Sequence, residues 1–352
     1  MRTFRWLVLA ALAIAVAAAL VSTWAWRTLH RPHQGYPGDE LRVEIEPGLD
    51  ARSILGQLER QGALANALLA RIYLVYRLKD PPLKAGEYRF SGPAATPEVL
   101  ERLIRGKVVT HAVTLVEGWT LEETARHLAD QGFGDYDALL WEMSSPAEIA
   151  DLDAEAPDLE GYLFPDTYSF ARGTPEREIV TALVANFRRR YEGEIRPLLG
   201  PDDGRSVRQI VTLASVVEKE AQLDEERPLI AGVYANRLER GIALYADPTV
   251  IYALKKLGRW DGNLRRPDLE IDSPYNTYRY PGLPPGPIAS PGLASLKAAA
   301  QPADVSYLFF VSRNDGSHVF AATLAEHNRN VYKWQKVYWR QRWAEKKSAG
   351  GG

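Results

Sequence analysis

Residues 6–26, bounded by Trp6 and Trp26, contain no charged side chain and are almost wholly Ala, Leu, Val, Ile and Trp. No other feature limits the fold so strongly. A helix of 21 residues, at about 1.5 Å of rise per residue, reaches roughly 30 Å, the thickness of a bilayer's hydrocarbon layer. Trp6, Trp24 and Trp26 stand at its ends, where interfacial aromatics collect. A cleaved secretion signal has a shorter apolar run, about 7–15 residues, and a small-residue cleavage site. Here bulky Ser22-Thr23-Trp24 occupies that place. The expected arrangement is a cytoplasmic tail (1–5), one transmembrane helix (6–26) and a large domain on the other side. Arg2 and Arg5 are matched by Arg27 and Arg31 across the span, so this orientation rests on leaving five residues inside, not on a charge bias.

The rest of the chain has a globular composition. With 43 basic and 45 acidic residues the net charge is -2, which gives no electrostatic footprint for nucleic acid, and no nucleic-acid partner is expected. There is no cysteine, hence no disulfide framework, thiol nucleophile or cysteine metal site. His318 and His327 lack the spacing of a metal-binding pair, so no metal is expected.

Residues 27–40 are rich in turn formers and read as a linker. From residue 41 a weak repeat of strand, Gly turn, helix and Gly runs three times. Its glycine pairs are Gly48/Gly62, Gly92/Gly106 and Gly118/Gly132, each 14 residues apart. Leu58 and Leu128 fall ten residues after the leading Gly, where a helix turns them onto its strand. This predicts an α+β fold with a small domain at 41–112 and a larger mixed α/β domain at 113–340, followed by a disordered tail at 341–352. In the larger domain Thr174 and Pro175 are placed as N-cap and first residue of a helix, and a second helix is expected over 206–220. The stretch 247–291, dense in Pro, Gly, Asn, Asp and Tyr, reads as a long ordered loop, and such loops are usually functional. A hairpin is expected, with strands at 307–311 and 318–320 around Asn314-Asp315-Gly316.

On the second of those helices Ile210, Leu213, Ala214, Val217 and Ala221 form an apolar stripe. Glu218 and Glu220 fall on its opposite shoulders, each roughly 80° from the centre at about 100° per residue, and Lys219 points to solvent. A partly desolvated carboxyl there holds its proton near neutral pH, as an acid-base catalyst must. Helix geometry does not choose between the two glutamates.

The run Ala214-Ser215-Val216-Val217-Glu218-Lys219-Glu220-Ala221 resembles the signature of the endolytic murein transglycosylases, single-pass bacterial proteins formerly grouped as aminodeoxychorismate lyase-like. Further blocks fit in the same order: Lys84-Ala85-Gly86-Glu87-Tyr88, Glu160-Gly161-Tyr162-Leu163-Phe164-Pro165-Asp166-Thr167-Tyr168, Tyr234-Ala235-Asn236-Arg237-Leu238, Asp247-Pro248-Thr249, Ser273-Pro274-Tyr275-Asn276-Thr277-Tyr278, Gly282-Leu283-Pro284-Pro285-Gly286 and Glu326-His327-Asn328. The resemblance implies a LysM-like module at 41–112 and a lyase at 113–340 that cleaves MurNAc-GlcNAc bonds of nascent peptidoglycan strands. It also implies an inner-membrane anchor, a periplasmic catalytic domain, peptidoglycan synthases as partners, no cofactor, and termination of strand growth as the outcome. It further implies Glu218 as the one catalytic residue: it protonates the departing oxygen, then takes the proton of the muramic acid C6 hydroxyl, which closes on C1 to a 1,6-anhydro end. Glu218→Gln is then expected to lose activity with the fold intact.

Asn236, Tyr275, Asn276, Thr277 and Tyr278 offer amides, hydroxyls and ring faces for a sugar groove and are the expected substrate-binding residues; the alternative is that 273–276 merely builds a loop. Asp247 before Pro248 reads as a helix cap. Tyr245-Ala246 departs from the Gln and small hydroxyl residue usual in the family, which leaves a binding role there open. Two other functions fit the same residues: a non-catalytic cell-wall-binding anchor, and a glycoside hydrolase pairing Glu218 with Glu220, Asp247 or Asp272.

Overall fold

The structure is a computed structural model that describes residues 2–342. The expected tail at 341–352 lies outside the described residues, apart from 341 and 342, which are helical. The chain forms two contact units, residues 1–112 with 169–173 and residues 113–168 with 174–352. The fold is α+β, with one N-terminal apolar helix.

In the first unit α1 (Arg2–His30) runs past the apolar stretch at both ends, and its segment Phe4–His30 is long and apolar enough to cross a membrane. Then follow β1 (Glu40–Ile45), α2 (Ala51–Arg60), α3 (Ala67–Tyr76), β2 (Gly86–Ser91) and α4 (Thr96–Arg105). β1 pairs antiparallel with β2, from Glu40 opposite Ser91 to Ile45 opposite Gly86. Alternation puts Val43, Ile45, Tyr88 and Phe90 on one face, where they meet Ile54, Leu55 and Leu58 of α2 and Val99, Leu100 and Leu103 of α4 in an apolar core. Asp50 and Asn66 cap α2 and α3 by accepting from Ser53 N and Leu69 N.

Residues 31–39 are tied down more firmly than a linker. His33 exchanges two backbone hydrogen bonds with Ala94, Gly35 N donates to Gly62 O, and Tyr36 is buried. Gly62 is required there: its φ is +84°, and a Cβ would lie 2.4 Å from the Gly35 carbonyl carbon.

A further strand pair joins β3 (His111–Thr114) to β4 (Thr167–Phe170). The second unit holds α5 (Leu121–Asp130), α6 (Tyr136–Met143), α7 (Glu176–Arg190), α8 (Val207–Glu220), α9 (Arg227–Glu239), α10 (Asp247–Lys256) and α11 (Leu293–Ala300), then β5 (Phe309–Ser312), β6 (His318–Ala321) and α12 (Leu324–Val331). α2, α4 and α5 each occupy ten residues between a glycine pair of the repeat, and all six of those glycines have positive φ. α7 starts one residue later than expected, with Pro175 as its N-cap.

α8 is the central element. Ser206 and Gln209 close a capping box at its start. All eight residues 210–217 are buried, because α9, α10 and α11 pack around α8, so over that segment the helix is covered beyond the expected stripe. Of the expected loop 247–291, the first ten residues are α10 and 266–270 form a short 3-10 helix; the rest is irregular, and its Ile271 joins Val250 and Leu254 in a small cluster. β5 and β6 form the hairpin, from Phe309 opposite Ala321 to Ser312 opposite His318, with Asn314 at a φ of 68° in the turn.

Candidate active site

Two residues apart on a helix is about 200° of rotation, so the two glutamates at the end of α8 face different surroundings. The Glu218 side chain is only 6% exposed. Its Oε1 accepts from Arg227 Nη1 at 3.1 Å, and its Oε2 accepts from Gly292 N at 2.9 Å. Arg227 is buried too, and donates also to Ser295 Oγ at 2.8 Å and Asp224 Oδ1 at 3.0 Å. Glu117 stands close by, its carboxyl pushed up by burial and by the charge of Glu218. Both oxygens of Glu218 are therefore engaged, and the group works as a clamp that joins α8, α9 and the start of α11.

Glu220, on the other side, is half-buried and lines a cavity of about 500 Å3, within the range usual for ligand sites. Tyr234 and Arg237 of α9, Tyr245, Asp247 of α10, Tyr278, Phe309, His318 and His327 line it with Glu220. Glu220 Oε1 accepts from Tyr234 OH at 3.2 Å. Burial first, and the charge of Asp247 second, push the Glu220 carboxyl up to about 7, against the pull of the Tyr234 hydrogen bond and the Arg237 charge. Such a group holds or releases a proton near neutrality.

The walls are prearranged. Arg237 is buried and anchored on Leu308 O and Leu244 O, both at 2.6 Å, with its guanidinium 5.8 Å from the Tyr245 ring centre and 5.3 Å from that of Phe309. Tyr278 OH donates to Asp247 Oδ1 at 2.5 Å, and its ring meets Tyr245 edge-on at 5.3 Å. Asp247 thus does not cap α10 as expected; Ala246 occupies the N-cap and the carboxylate turns to Tyr278. His318 is held at Nδ1 by Glu226, 2.7 Å away. His327 stacks on Phe309 at 5.1 Å, and its buried Nδ1 has no protein partner.

Of the five expected sugar contacts, Tyr278 alone lines this cavity. Asn236 donates to Val305 O at 2.6 Å and Tyr307 O at 2.9 Å, fastening α9 to the irregular segment that leads into β5. Asn276 is fully buried and donates to Leu269 O and Ile271 O. Thr277 is 1% exposed and bonded to Thr249 Oγ1 and Ala246 N. Tyr275 packs on Tyr252, ring centres 4.9 Å apart, and burial pushes its hydroxyl up to about 12. Tyr275 and Asn276 are thus placed as the loop-building alternative for 273–276 has them, Thr277 ties the same loop to α10, and Asn236 is engaged in α9.

The residues not anticipated from sequence are Tyr234, Arg237, Tyr245, His318 and His327. Tyr234 and Arg237 are spaced i, i+3 on one helix face, a signal that favours Arg237 over Asn236. Nothing local pairs His318 with Glu226, 92 positions away. A third raised carboxyl, Glu160, pushed up to about 8 by burial, is taken up by Leu121 N and Tyr252 OH and serves as a buttress. Among the described residues no group of three or more His, Cys, Asp or Glu side chains is placed to hold a metal.

Residues 43–333 match the YceG-like family. The chain is 31% identical over 313 residues to the endolytic murein transglycosylase of Bacillus subtilis, covering 84% of each. It is 30% identical over 322 residues to that of Streptococcus pneumoniae, across 82% of this chain but only 57% of the longer relative. A crystal structure of a yceG-like protein of Listeria monocytogenes at 2.6 Å is similar over 83% of this chain and 98% of that one, with a TM-score of 0.56 and 33% identity.

Proposed function

This chain belongs to the YceG-like family, and from that membership and the cavity at Glu220 we propose that it is a membrane-anchored lyase that cuts peptidoglycan glycan strands. The observation that supports the reading is a carboxyl poised at about 7 in the wall of a 500 Å3 cavity, and on it the proposed acid-base role falls to Glu220 and not to Glu218. Glu218 has its oxygens occupied by Arg227 and Gly292, so taking up and giving back a proton there would require breaking the clamp. The names of the Bacillus and Streptococcus relatives supply the substrate class.

In the proposed reaction protonated Glu220 gives its proton to the glycosidic oxygen as the bond from C1 to that oxygen breaks. The developing positive charge on the ring is met by the negative side of the Asp247-Tyr278 pair. Glu220, now a carboxylate steadied by the Tyr234 hydroxyl and the Arg237 charge, takes the proton of the C6 hydroxyl, and O6 bonds to C1. One proton leaves Glu220 and one returns, no water is consumed, and the product is a 1,6-anhydro end. An ordinary glycosidase needs a second carboxylate about 5–9.5 Å away, and Asp247 in the same cavity is the one residue that favours this second reading. Mass spectrometry of digested strands decides between them: anhydro ends support the lyase, reducing ends support a hydrolase using Asp247, and uncut strands would leave a binding protein.

α1 is read as a single-pass anchor with both units outside the cytoplasm. The first unit is read as LysM-like, supported by its order of strand, two helices and strand with the strands paired. Peptidoglycan synthases beside the same membrane are the proposed partners, and ending strand growth the proposed role.

Because the cycle starts from the protonated acid, activity should persist below about pH 7 and fall as pH rises through it. Asp247→Asn removes a charge that raises the Glu220 pKa, so the alkaline limb of the kcat/KM profile should move to lower pH. A limb that stays in place would detach Asp247 from Glu220. Tyr245 is half exposed at the cavity rim, with a φ of 50°. As a stacking face for a sugar ring, worth on the order of 1 kcal/mol, its replacement by Ala should raise KM roughly 5-fold with little change in kcat, measured on strands of defined length.

A further inference from the structure

α3 has a composition that its packing does not explain. Its sequence, ALLARIYLVY, carries one charge, Arg71, and is otherwise apolar or aromatic all round. Ala70 and Leu74 face the core of the first unit, and that burial accounts for one side. On another side Leu68, Ile72 and Tyr76 follow at i, i+4 and i+8 and remain 68%, 45% and 82% exposed. A helix apolar on every face needs cover on every face. What lies next to it says what the cover is. The last turn of α1 packs against α3: His30, whose ring stacks on Trp26 of its own helix at 4.7 Å, meets Tyr73 of α3 edge-on at 6.2 Å. His30 lies only four residues beyond the apolar run, about 6 Å along a helix, so α3 sits at the depth where α1 leaves the hydrocarbon. Exposed Arg27 and Arg31 at the end of α1, and exposed Arg77 and Lys79 just after α3, border the same region. Basic side chains beside an apolar stripe are the pattern of a helix lying in the headgroup layer of an anionic bilayer.

We propose that α3 is a second membrane contact, an interfacial helix that lays Leu68, Ile72 and Tyr76 into the outer boundary of the bilayer and fixes the first unit against it. The proposal rests on reading α1 as the anchor. Its consequence is that the first unit is held at the membrane surface and not tethered loosely above it.

The chain has no cysteine, so single thiols can be placed cleanly. Ile72→Cys, Glu59→Cys on the exposed side of α2 and Ser22→Cys in α1 would each be labelled with an environment-sensitive fluorophore. The full-length chain would then be reconstituted into vesicles of phosphatidylglycerol and phosphatidylethanolamine, and quenching by lipid-borne nitroxides measured at headgroup and acyl depth. The probe at Ile72 should be blue-shifted and quenched from headgroup depth several-fold more strongly than that at Glu59, with the Ser22 probe quenched from acyl depth. A probe at Ile72 as wet and unquenched as that at Glu59 overturns the proposal. So does one that is blue-shifted but unquenched, since a second copy of the chain would then cover the stripe. An unquenched probe at Ser22 would remove the anchor itself, and the proposal with it.

Discussion

Replacing Glu220 by Gln should reduce the formation of anhydro ends by about 10²–10⁴-fold, the usual cost of losing a general acid and base. The substitution keeps the shape of the side chain and leaves an amide oxygen to accept from Tyr234 OH. Its effect on stability has a definite sign. The carboxyl is raised from 4.5 to about 7 on folding, so in the parent its contribution is greatest below pH 4.5 and is lost as pH rises through about 7. The Gln variant, which does not titrate, should therefore gain on the parent in thermal stability across that window. A dead enzyme that melts no earlier than the parent at pH 8 is the expected pair of results. A variant that keeps near-parent turnover would sink the assignment of chemistry to Glu220.

Glu218→Gln should behave in the opposite way. It leaves the buried Arg227 guanidinium without its buried counter-charge, and breaking such a pair costs about 3–5 kcal/mol. Arg227 keeps Asp224 and Ser295, so the loss should fall at or below the low end of that range, on the order of 2–3 kcal/mol. For a unit of this size that is roughly 2–4 °C of Tm per kcal/mol. Turnover per folded molecule, measured well below the new Tm, should stay within a few fold of the parent. If instead Glu218→Gln abolished turnover with an unchanged melting curve, the clamp description would fail and the original choice of Glu218 would stand. Measuring melting and turnover on both variants keeps a stability defect from being read as a catalytic one.

The proposed exchange of roles between the two glutamates shows how far sequence reasoning reaches at this site. The period of α8 put Glu218 and Glu220 on opposite shoulders, and that is where they lie. Which shoulder faces ligand depends on the elements brought against it. Arg227 and Gly292 close over Glu218, while Tyr234, Asp247 and Tyr278 surround Glu220 and leave space. The motif blocks were legible and several converge on one cavity, but the choice of residue within a block was not. Asn236 and Asn276 look like sugar ligands by chemical type. In the fold their amides are spent on backbone carbonyls of irregular segments, which have no ladder of their own to satisfy them. Asp247 stood at a helix start and looked like a cap until its position opposite Tyr278 turned the carboxylate into the cavity.

Sequence alone determined the features that depend on neighbours along the chain: one helix long enough for a bilayer, the glycine-bounded helices, the hairpin around Asn314-Asp315-Gly316, and the α8 helix with its two glutamates. These follow from backbone geometry and apolar periodicity, which are local. Tertiary structure alone decided the upward shift of the Glu220 carboxyl, the clamp on Glu218 and the exposed stripe of α3. Each depends on how much water and which charges packing leaves beside a group, and those neighbours come from positions tens of residues away that no local pattern specifies.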